Sequence, residues 1–150
     1  QNPEELTSTY NQHFIEKLIS SSDVALMGGI LDVLKNLHSK GIPVALASSS
    51  TREVIEAVLQ KFGIAQYFQV IVSGDDVKYS KPHPEIFLLA AKKLNMSPNN
   101  CIVVEDSTNG VLAAKHAGIY CVGFKPKSNR HELLEASTRI ETFKDFDAIK

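Results

Sequence analysis

Three short polar segments of this chain carry residue types that bind phosphate and a divalent cation. Ser48-Ser49-Ser50 lies between an apolar run and a helical pattern, so its hydroxyls and backbone N–H groups predict an anion site. Lys81 precedes Pro82-His83-Pro84, whose prolines stiffen the backbone and favour an ammonium held against a phosphate. Glu105 and Asp106 directly follow four apolar residues, and their hard oxygen ligands suit Mg²⁺.

Each segment also has a plainer interpretation. The serines can simply cap a helix, and Lys81 can be a solvated surface lysine. His83 invites a role as general base, although an ordinary loop histidine is favoured. The two acids can cap the next helix, but Ser107 and Thr108 already supply that function. Hydroxyl, lysine and acid pair occur in that order at successive strand ends, and this combination favours phosphoryl transfer.

The elements that must position these groups follow an α/β order. Short apolar runs predict parallel strands that alternate with helices on both faces of the sheet, and ligands bind such sheets at the carboxyl ends of their strands. The strands at 42–47 and 101–104 are expected to be buried on both faces. The other predicted strands are 70–72 and 119–122, and the predicted helices are 3–20, 28–40, 51–61, 84–94 and 108–117. The tail, 129–150, is predicted to form a helix, an extended piece around Ile140 and a final turn.

Composition narrows the class of protein. The chain has 150 residues, 43% hydrophobic and 22% charged, which is typical of one globular domain. A net charge of −1 and the lack of a basic stripe argue against a nucleic-acid partner. We expect no membrane partner, since no apolar run is long enough to span a bilayer and no signal peptide opens the sequence. Cys101 and Cys121 are expected to be buried thiols of a cytoplasmic protein.

Three stretches together resemble the haloacid-dehalogenase-like superfamily, in particular its beta-phosphoglucomutase-like phosphatases and phosphomutases. They run from Gly41 to Ser50, from Ser80 to Phe87 and from Val103 to Gly110. Their order and spacing fit from about residue 24 to residue 124. The resemblance implies a Rossmann-like parallel sheet and magnesium-dependent phosphoryl transfer on a small phosphorylated metabolite such as a sugar phosphate.

The resemblance also implies roles for the phosphate-binding residues. Ser48 would hydrogen-bond the transferring phosphoryl group, helped by the backbone N–H of Ser49. Lys81 would stabilise negative charge on that group and on its aspartyl adduct. Ser48 and Lys81 are therefore the expected catalytic residues of this chain.

The metal-binding residues follow from the same resemblance. Asp106 would bind Mg²⁺, with Glu105 beside it as a further or water-mediated ligand. Ser107 and Asn109 would lie next to these ligands and help to hold them in position, without binding the metal themselves.

One part of the family pattern is absent from the sequence. The family's nucleophile and its general acid/base lie in an Asp-x-Asp-Gly segment, and the chain contains none. We therefore expect residues 1–22 to be the end of a helical cap, 23–150 to be the core, and the chain alone to be inactive. The absent strand would leave two open edges, filled by another copy, by an N-terminal piece or by rearrangement. The alternative is an inactive relative that serves as a phosphate-binding, metal-binding or protein-interaction module.

Overall fold

The computed structural model describes residues 2–148, which form five α-helices and five short β-strands, with single 3₁₀ turns in several of the connections. The helices are α1 (Pro3–Ser20), α2 (Ile30–Ser39), α3 (Arg52–Phe62), α4 (Glu85–Lys93) and α5 (Thr108–His116). The strands are β1 (Ala45–Ala47), β2 (Val70–Val72), β3 (Ile102–Glu105), β4 (Tyr120–Phe124) and β5 (Thr138–Ile140).

All paired strands are parallel, but they form two sheets. β1 pairs with β2, and β3, β4 and β5 pair in that order. The predicted α/β class with parallel strands is thus confirmed, and within residues 2–148 no strand lies between β1 and β3, where the sequence predicts that one is absent. Each of β1 and β3 is hydrogen-bonded on one side only within this range, so each has an open edge.

Helices on two sides hold the strands in place. The largest core cluster lies under α4 and α5 and joins side chains of both sheets, including Val72, Val103 and Cys121. On the opposite side, α3 packs Ile55 and Leu59 over the first sheet. Ring stacking of Phe124 on Phe143, with centroids 4.3 Å apart, belongs to a smaller cluster that reaches α2. Burial of these apolar faces is the main force that fixes the strand ends relative to one another.

The strands predicted at 42–47 and 101–104 differ from the expectation in their burial. Ile102 and Val104 of β3 are 54% and 39% exposed, and β1 begins only at Ala45 and is half-buried. The prediction of burial on two faces is therefore wrong for β3, whereas β1 packs on both faces, with Ala45 and Ala47 on one and Leu46 on the other, but is only half-buried. Val103 points into the cluster under α4 and α5, while no element within residues 2–148 covers the opposite face of β3.

The tail also differs from the prediction. No α-helix forms between Asn129 and β5, whereas the extended piece around Ile140 is present as β5 and a 3₁₀ turn follows at Phe143–Ala148. Leu133 adopts the left-handed φ of 50° and is buried, which breaks a helical path. The final two residues of the predicted turn lie outside the described residues.

Helix α1 lies along α3, and hydrogen bonds join its middle and its C-terminal end to the two ends of α3. Asn11 Nδ2 donates to Thr51 Oγ1 at 3.1 Å, and Lys61 Nζ donates to the Ser21 carbonyl at 2.8 Å. Within residues 2–148 no helix is both long and apolar enough to cross a membrane. Both cysteines are free, and burial raises the pKa of the Cys121 thiol to about 12.

Candidate functional site

The serine loop, residues 48–50, leaves β1 in a fixed conformation. The Ser48 N–H donates to the Val72 carbonyl at 3.0 Å, and the Ser50 N–H donates to Ser48 Oγ at 3.2 Å. The residue that caps α3 is Thr51, without a side-chain cap bond, and the first helical N–H, that of Arg52, is satisfied by Asp75 Oδ2 at 2.8 Å. The interpretation of the serines as helix caps is therefore wrong.

Lys81 reaches inward rather than into solvent. Its side chain is only 11% exposed, and its Nζ lies 4.7 Å from the centroid of the Phe87 ring. The ammonium donates to the Ala47 carbonyl at 3.2 Å and forms an ion pair with the Glu105 carboxylate. The interpretation of Lys81 as a solvated surface lysine is wrong.

These two contacts of Lys81 join the open edges of the two sheets. Ala47 is the last residue of β1, and Glu105 is the last residue of β3. Because one ammonium touches both, the carboxyl ends of β1 and β3 must lie at the same edge of the fold. The structure therefore brings together the strand end before Ser48, Lys81 and the strand end before Asp106.

Glu105 is held from several directions. Beyond Lys81, its Oε2 accepts from the Ser107 hydroxyl at 3.1 Å, and the Ser107 N–H lies 3.4 Å away. A Cβ on Gly110 would come within 2.0 Å of the Glu105 Cδ, so only glycine leaves room for this carboxylate over the first turn of α5. Ser107 also caps α5, accepting from the Gly110 N–H at 3.0 Å, as expected from the sequence.

Asp106 differs from its neighbour. It is exposed, and its carboxylate makes no hydrogen bond or ion pair with any group in residues 2–148. Its position is nevertheless fixed, because its backbone carbonyl accepts from Asn129 Nδ2 at 2.9 Å. The same Nδ2 donates to the Phe124 carbonyl at 3.1 Å, which ties the ends of β3 and β4 together. Asn109, two residues into α5, is exposed as well.

This arrangement fits Mg²⁺. Among residues 2–148 no cluster of three or more histidine, cysteine or acidic side chains could form a cage. Mg²⁺ rarely uses such a cage: it is typically held by one or two carboxylates, substrate phosphate oxygens and retained waters. Asp106 offers a free carboxylate and Glu105 a second one beside it.

His83 is part of the local loop structure. Its Nδ1 accepts from the Glu85 N–H at 3.2 Å, and its ring lies 4.8 Å from the Tyr79 ring. Glu85 in turn accepts the N–H groups of Lys78 and Tyr79, and these bonds lower the pKa of its carboxyl. These contacts match the loop histidine that the sequence favours.

Two sets of supporting residues are not predicted by the sequence pattern. One is Asn129, which lies 23 positions from the carbonyl of Asp106 and gives no local signal of that contact. The other is Arg52 with residues 73–76, whose only sequence signal is a Gly-Asp-Asp run after a strand. Both sets act on the backbone of the loops that carry the candidate site residues.

Comparison with known proteins agrees with this geometry. The family model described as haloacid dehalogenase-like hydrolase matches residues 1–124. The chain belongs to this family. It is 40% identical over 121 residues to YhcW of Bacillus subtilis (strain 168), covering 81% of the chain and 54% of that protein. It is 34% identical over 119 residues to phosphoglycolate phosphatase of Escherichia coli (strain K12), covering 79% of the chain and 47% of the enzyme.

Solved structures of family members share the fold. CbbY from Rhodobacter sphaeroides, in complex with phosphate, superposes with a TM-score of 0.88 at 29% identity and covers 97% of the chain and 66% of CbbY. Beta-phosphoglucomutase from Clostridium difficile superposes with a TM-score of 0.77 at 33% identity, covering 98% and 60% of the two chains. The chain spans about half the length of the curated relatives it matches.

Proposed function

We propose that this chain is the phosphate- and metal-binding part of an enzyme that performs magnesium-dependent phosphoryl transfer on a small phosphorylated metabolite such as a sugar phosphate. One observation carries the proposal: the Lys81 ammonium contacts both the carbonyl before Ser48 and the carboxylate before Asp106. A phosphate at this point would meet a cation, a hydroxyl and a metal ligand together. The named phosphatase and phosphomutase relatives support the same reaction class.

On the phosphate side, Ser48 Oγ and the Ser49 N–H would bind the oxygens of the transferring group. Lys81 would neutralise charge that builds up on those oxygens, and its low exposure would strengthen this attraction. Fixed donors cost little reorganisation when the reaction begins.

On the metal side, Asp106 would hold Mg²⁺ and Glu105 would be a further or water-mediated ligand. Bound there, Mg²⁺ would supply Lewis-acid polarisation of a phosphoryl oxygen. Ser107 would keep Glu105 in place through its hydroxyl, and Asn109 would border the site.

The sequence lacks the Asp-x-Asp-Gly segment that carries the family's nucleophile. We therefore propose that this chain alone binds phosphate and metal without turnover, since a transfer through an aspartyl adduct needs that carboxylate. We also propose that residues 1–22 belong to a helical cap over the core, 23–150, and that the protein acts in the cytoplasm, where its two free thiols stay reduced. Hydrolysis and mutase chemistry are both compatible with this site.

The direct experiment is calorimetric titration of the chain with inorganic phosphate in the presence of Mg²⁺. A separate ³¹P NMR experiment then tests whether the chain converts any of a panel of sugar phosphates. We expect Mg²⁺-dependent phosphate binding that Ser48→Ala weakens. No heat at millimolar phosphate and Mg²⁺ would contradict the proposal. Turnover by the chain alone, as free phosphate or as an isomerised ester, would contradict its inactivity and would separate phosphatase from phosphomutase.

A second candidate function is protein interaction through the open edges of β1 and β3. Two parallel edges with exposed Ile102 and Val104 present unpaired backbone groups that another strand can join. We propose that another copy, or a separate polypeptide, supplies that strand. Sedimentation across a range of concentrations, with hydrogen exchange on 45–47 and 102–105, tests this: a monomer at all concentrations with fast exchange at both edges would rule it out.

A further inference from the structure

We infer that Arg52 and residues 73–76 form a clamp that positions the serine loop for phosphate. Arg52 is the first residue of α3, and residues 73–76 directly follow β2, the only strand that pairs with β1 in residues 2–148. They are positioning residues, because they touch the backbone of the loop and of the first turn of α3 rather than the place where phosphate would bind. This inference rests on the proposed function and adds residues to it.

The contact at Gly74 is the closest part of the clamp. Its N–H donates to the Ser50 carbonyl at 2.8 Å. A Cβ at this position would lie 2.4 Å from the Ser49 carbonyl oxygen and 3.1 Å from the Ser49 carbonyl carbon. The atoms in the way are backbone, so no side-chain rotation can relieve the overlap, and any other residue here must push the serine loop away.

Asp76 keeps Gly74 in that position. Its Oδ2 accepts from the Ser73 N–H at 2.7 Å, from the Ser73 hydroxyl at 2.9 Å and from Arg52 Nη2 at 2.6 Å. The Ser73 hydrogen bonds and the Arg52 guanidinium hold the pKa of the Asp76 carboxyl near 2. Ser73 is completely buried, so the first residue of this turn is enclosed by neighbouring groups.

Arg52 connects the turn to the beginning of α3. Its Nη2 also donates to the Ile71 carbonyl at 3.2 Å, and its backbone N–H donates to Asp75 Oδ2 at 2.8 Å. The first residue of α3 is thus bound to both acids of the turn. Because the serine loop lies between β1 and this residue, it is fixed at both ends and in the middle.

The clamp acts on only one half of the site. None of the hydrogen bonds made by Arg52 and residues 73–76 reaches Glu105, Asp106 or Lys81. A positioning role therefore predicts a selective effect, in which phosphate affinity falls and metal affinity does not. A general loss of folding would lower both.

The experiment compares Gly74→Ala with Gly28→Ala, a matched control because a Cβ on Gly28 meets nothing within 4 Å. Three quantities are measured on each chain: amide hydrogen exchange at 48–52, the Kd for inorganic phosphate in Mg²⁺, and the Kd for Mn²⁺ alone. We expect Gly74→Ala to speed exchange at 48–52 and to weaken phosphate binding by about 10- to 100-fold, the range expected when a hydrogen bond to a charged ligand is lost. Its Mn²⁺ affinity and all values for Gly28→Ala should stay within about twofold of the unaltered chain.

Two results would overturn the clamp: unchanged exchange at 48–52 in Gly74→Ala, or a parallel loss of phosphate and Mn²⁺ affinity. If Gly74→Ala does not fold, Asp76→Asn replaces it, with the exposed Asp23→Asn as its control and the same pattern expected at smaller size. If the unaltered chain binds no phosphate, the proposed function fails, while the exchange comparison still supports or overturns the clamp by itself.

Discussion

The serine loop after β1 and the acid loop after β3 (residues 105–109) lie at the same edge of the fold but are held in different ways. Backbone groups of the serine loop are bound by β2 and by the turn that follows it, as in the bond from Gly74 to Ser50. In the acid loop, Glu105 is committed to Lys81 and Ser107, while the Asp106 carboxylate has no partner among residues 2–148. The serine loop is fixed through its backbone at Ser48 and Ser50, whereas the acid loop keeps one charged group available.

This difference matches the two ligands that the loops would bind. A phosphate is bound best by donors whose positions are set beforehand, because they need no rearrangement when charge develops. A Mg²⁺ ion keeps several waters and needs only one or two protein carboxylates. Lys81 stands between the two loops, and the comparison predicts that variants on each side have separate effects.

The largest expected effect comes from the residue that joins the loops. Lys81→Met leaves the Glu105 carboxylate, 10% exposed, without its cation and should lower the free energy of unfolding by about 3–5 kcal/mol. Lys115→Met is the matched control, because the Lys115–Glu135 pair is about half exposed and should cost at most about 1 kcal/mol. Urea unfolding of both variants measures the difference. Equal, small losses would show that Lys81 does not hold the two edges together.

Asp106→Asn should separate metal binding from stability. Removing a charged ligand is expected to weaken Mn²⁺ binding by about 100-fold or more, since even supporting residues around a metal cost 10- to 100-fold. Stability should change by less than about 0.5 kcal/mol, because no described group pairs with this carboxylate. Titration followed by Mn²⁺ electron paramagnetic resonance, beside urea unfolding, tests both statements. Unchanged Mn²⁺ affinity would remove Asp106 from the proposed site.

Gly110→Ala should disturb the acid loop without touching the serine loop. The new Cβ would overlap the Glu105 carboxylate, so the acid must leave its contacts with Lys81 and Ser107, and loss of a hydrogen bond to a charged group costs about 1.5–3 kcal/mol. Hydrogen exchange should quicken at 105–110 and remain unchanged at 48–52. Equal changes in both loops would show that they do not respond separately.

Low pH should lower the free energy of unfolding by protonating Asp76, and this effect should be smaller than those of the substitutions above. The folded-state pKa of Asp76 is lowered to about 2 from 3.8, so the unfolded chain binds more protons between these values and stability falls as pH drops through that window. The urea midpoint of the unaltered chain should exceed that of Asp76→Asn above pH 4, and the gap should close near pH 2. A gap that is independent of pH would mean that the Asp76 charge contributes nothing.

The sequence predicts the positions of most helices and strands better than it predicts how exposed each of them is in the fold. Val70–Val72 was placed to the residue, because an apolar run before a polar turn is a local signal. The exposure of Ile102 depends on which elements cover β3, and the path of the tail depends on Leu133 in a left-handed conformation. Neither is encoded in local periodicity.

For the site, residue types at strand ends were enough to select Ser48, Lys81, Glu105 and Asp106 as candidates. The supporting contacts were not predictable in the same way. Gly74 packs against the backbone of Ser49, 25 positions away in the sequence, and Asn129 donates a hydrogen bond to the Asp106 carbonyl on another loop. Such contacts arise only when the chain has folded, and no spacing in the sequence specifies them.

We propose that the serine loop and the acid loop bind one phosphate and one metal ion at a common place. The most direct test is the Kd for inorganic phosphate with and without Mg²⁺, together with the Kd for Mg²⁺ with and without phosphate. The account predicts that each ligand tightens the other by the same factor, at least about fivefold, since coupling between two sites is reciprocal. Two affinities that do not depend on the other ligand would show that the serine loop and the acid loop do not form one site.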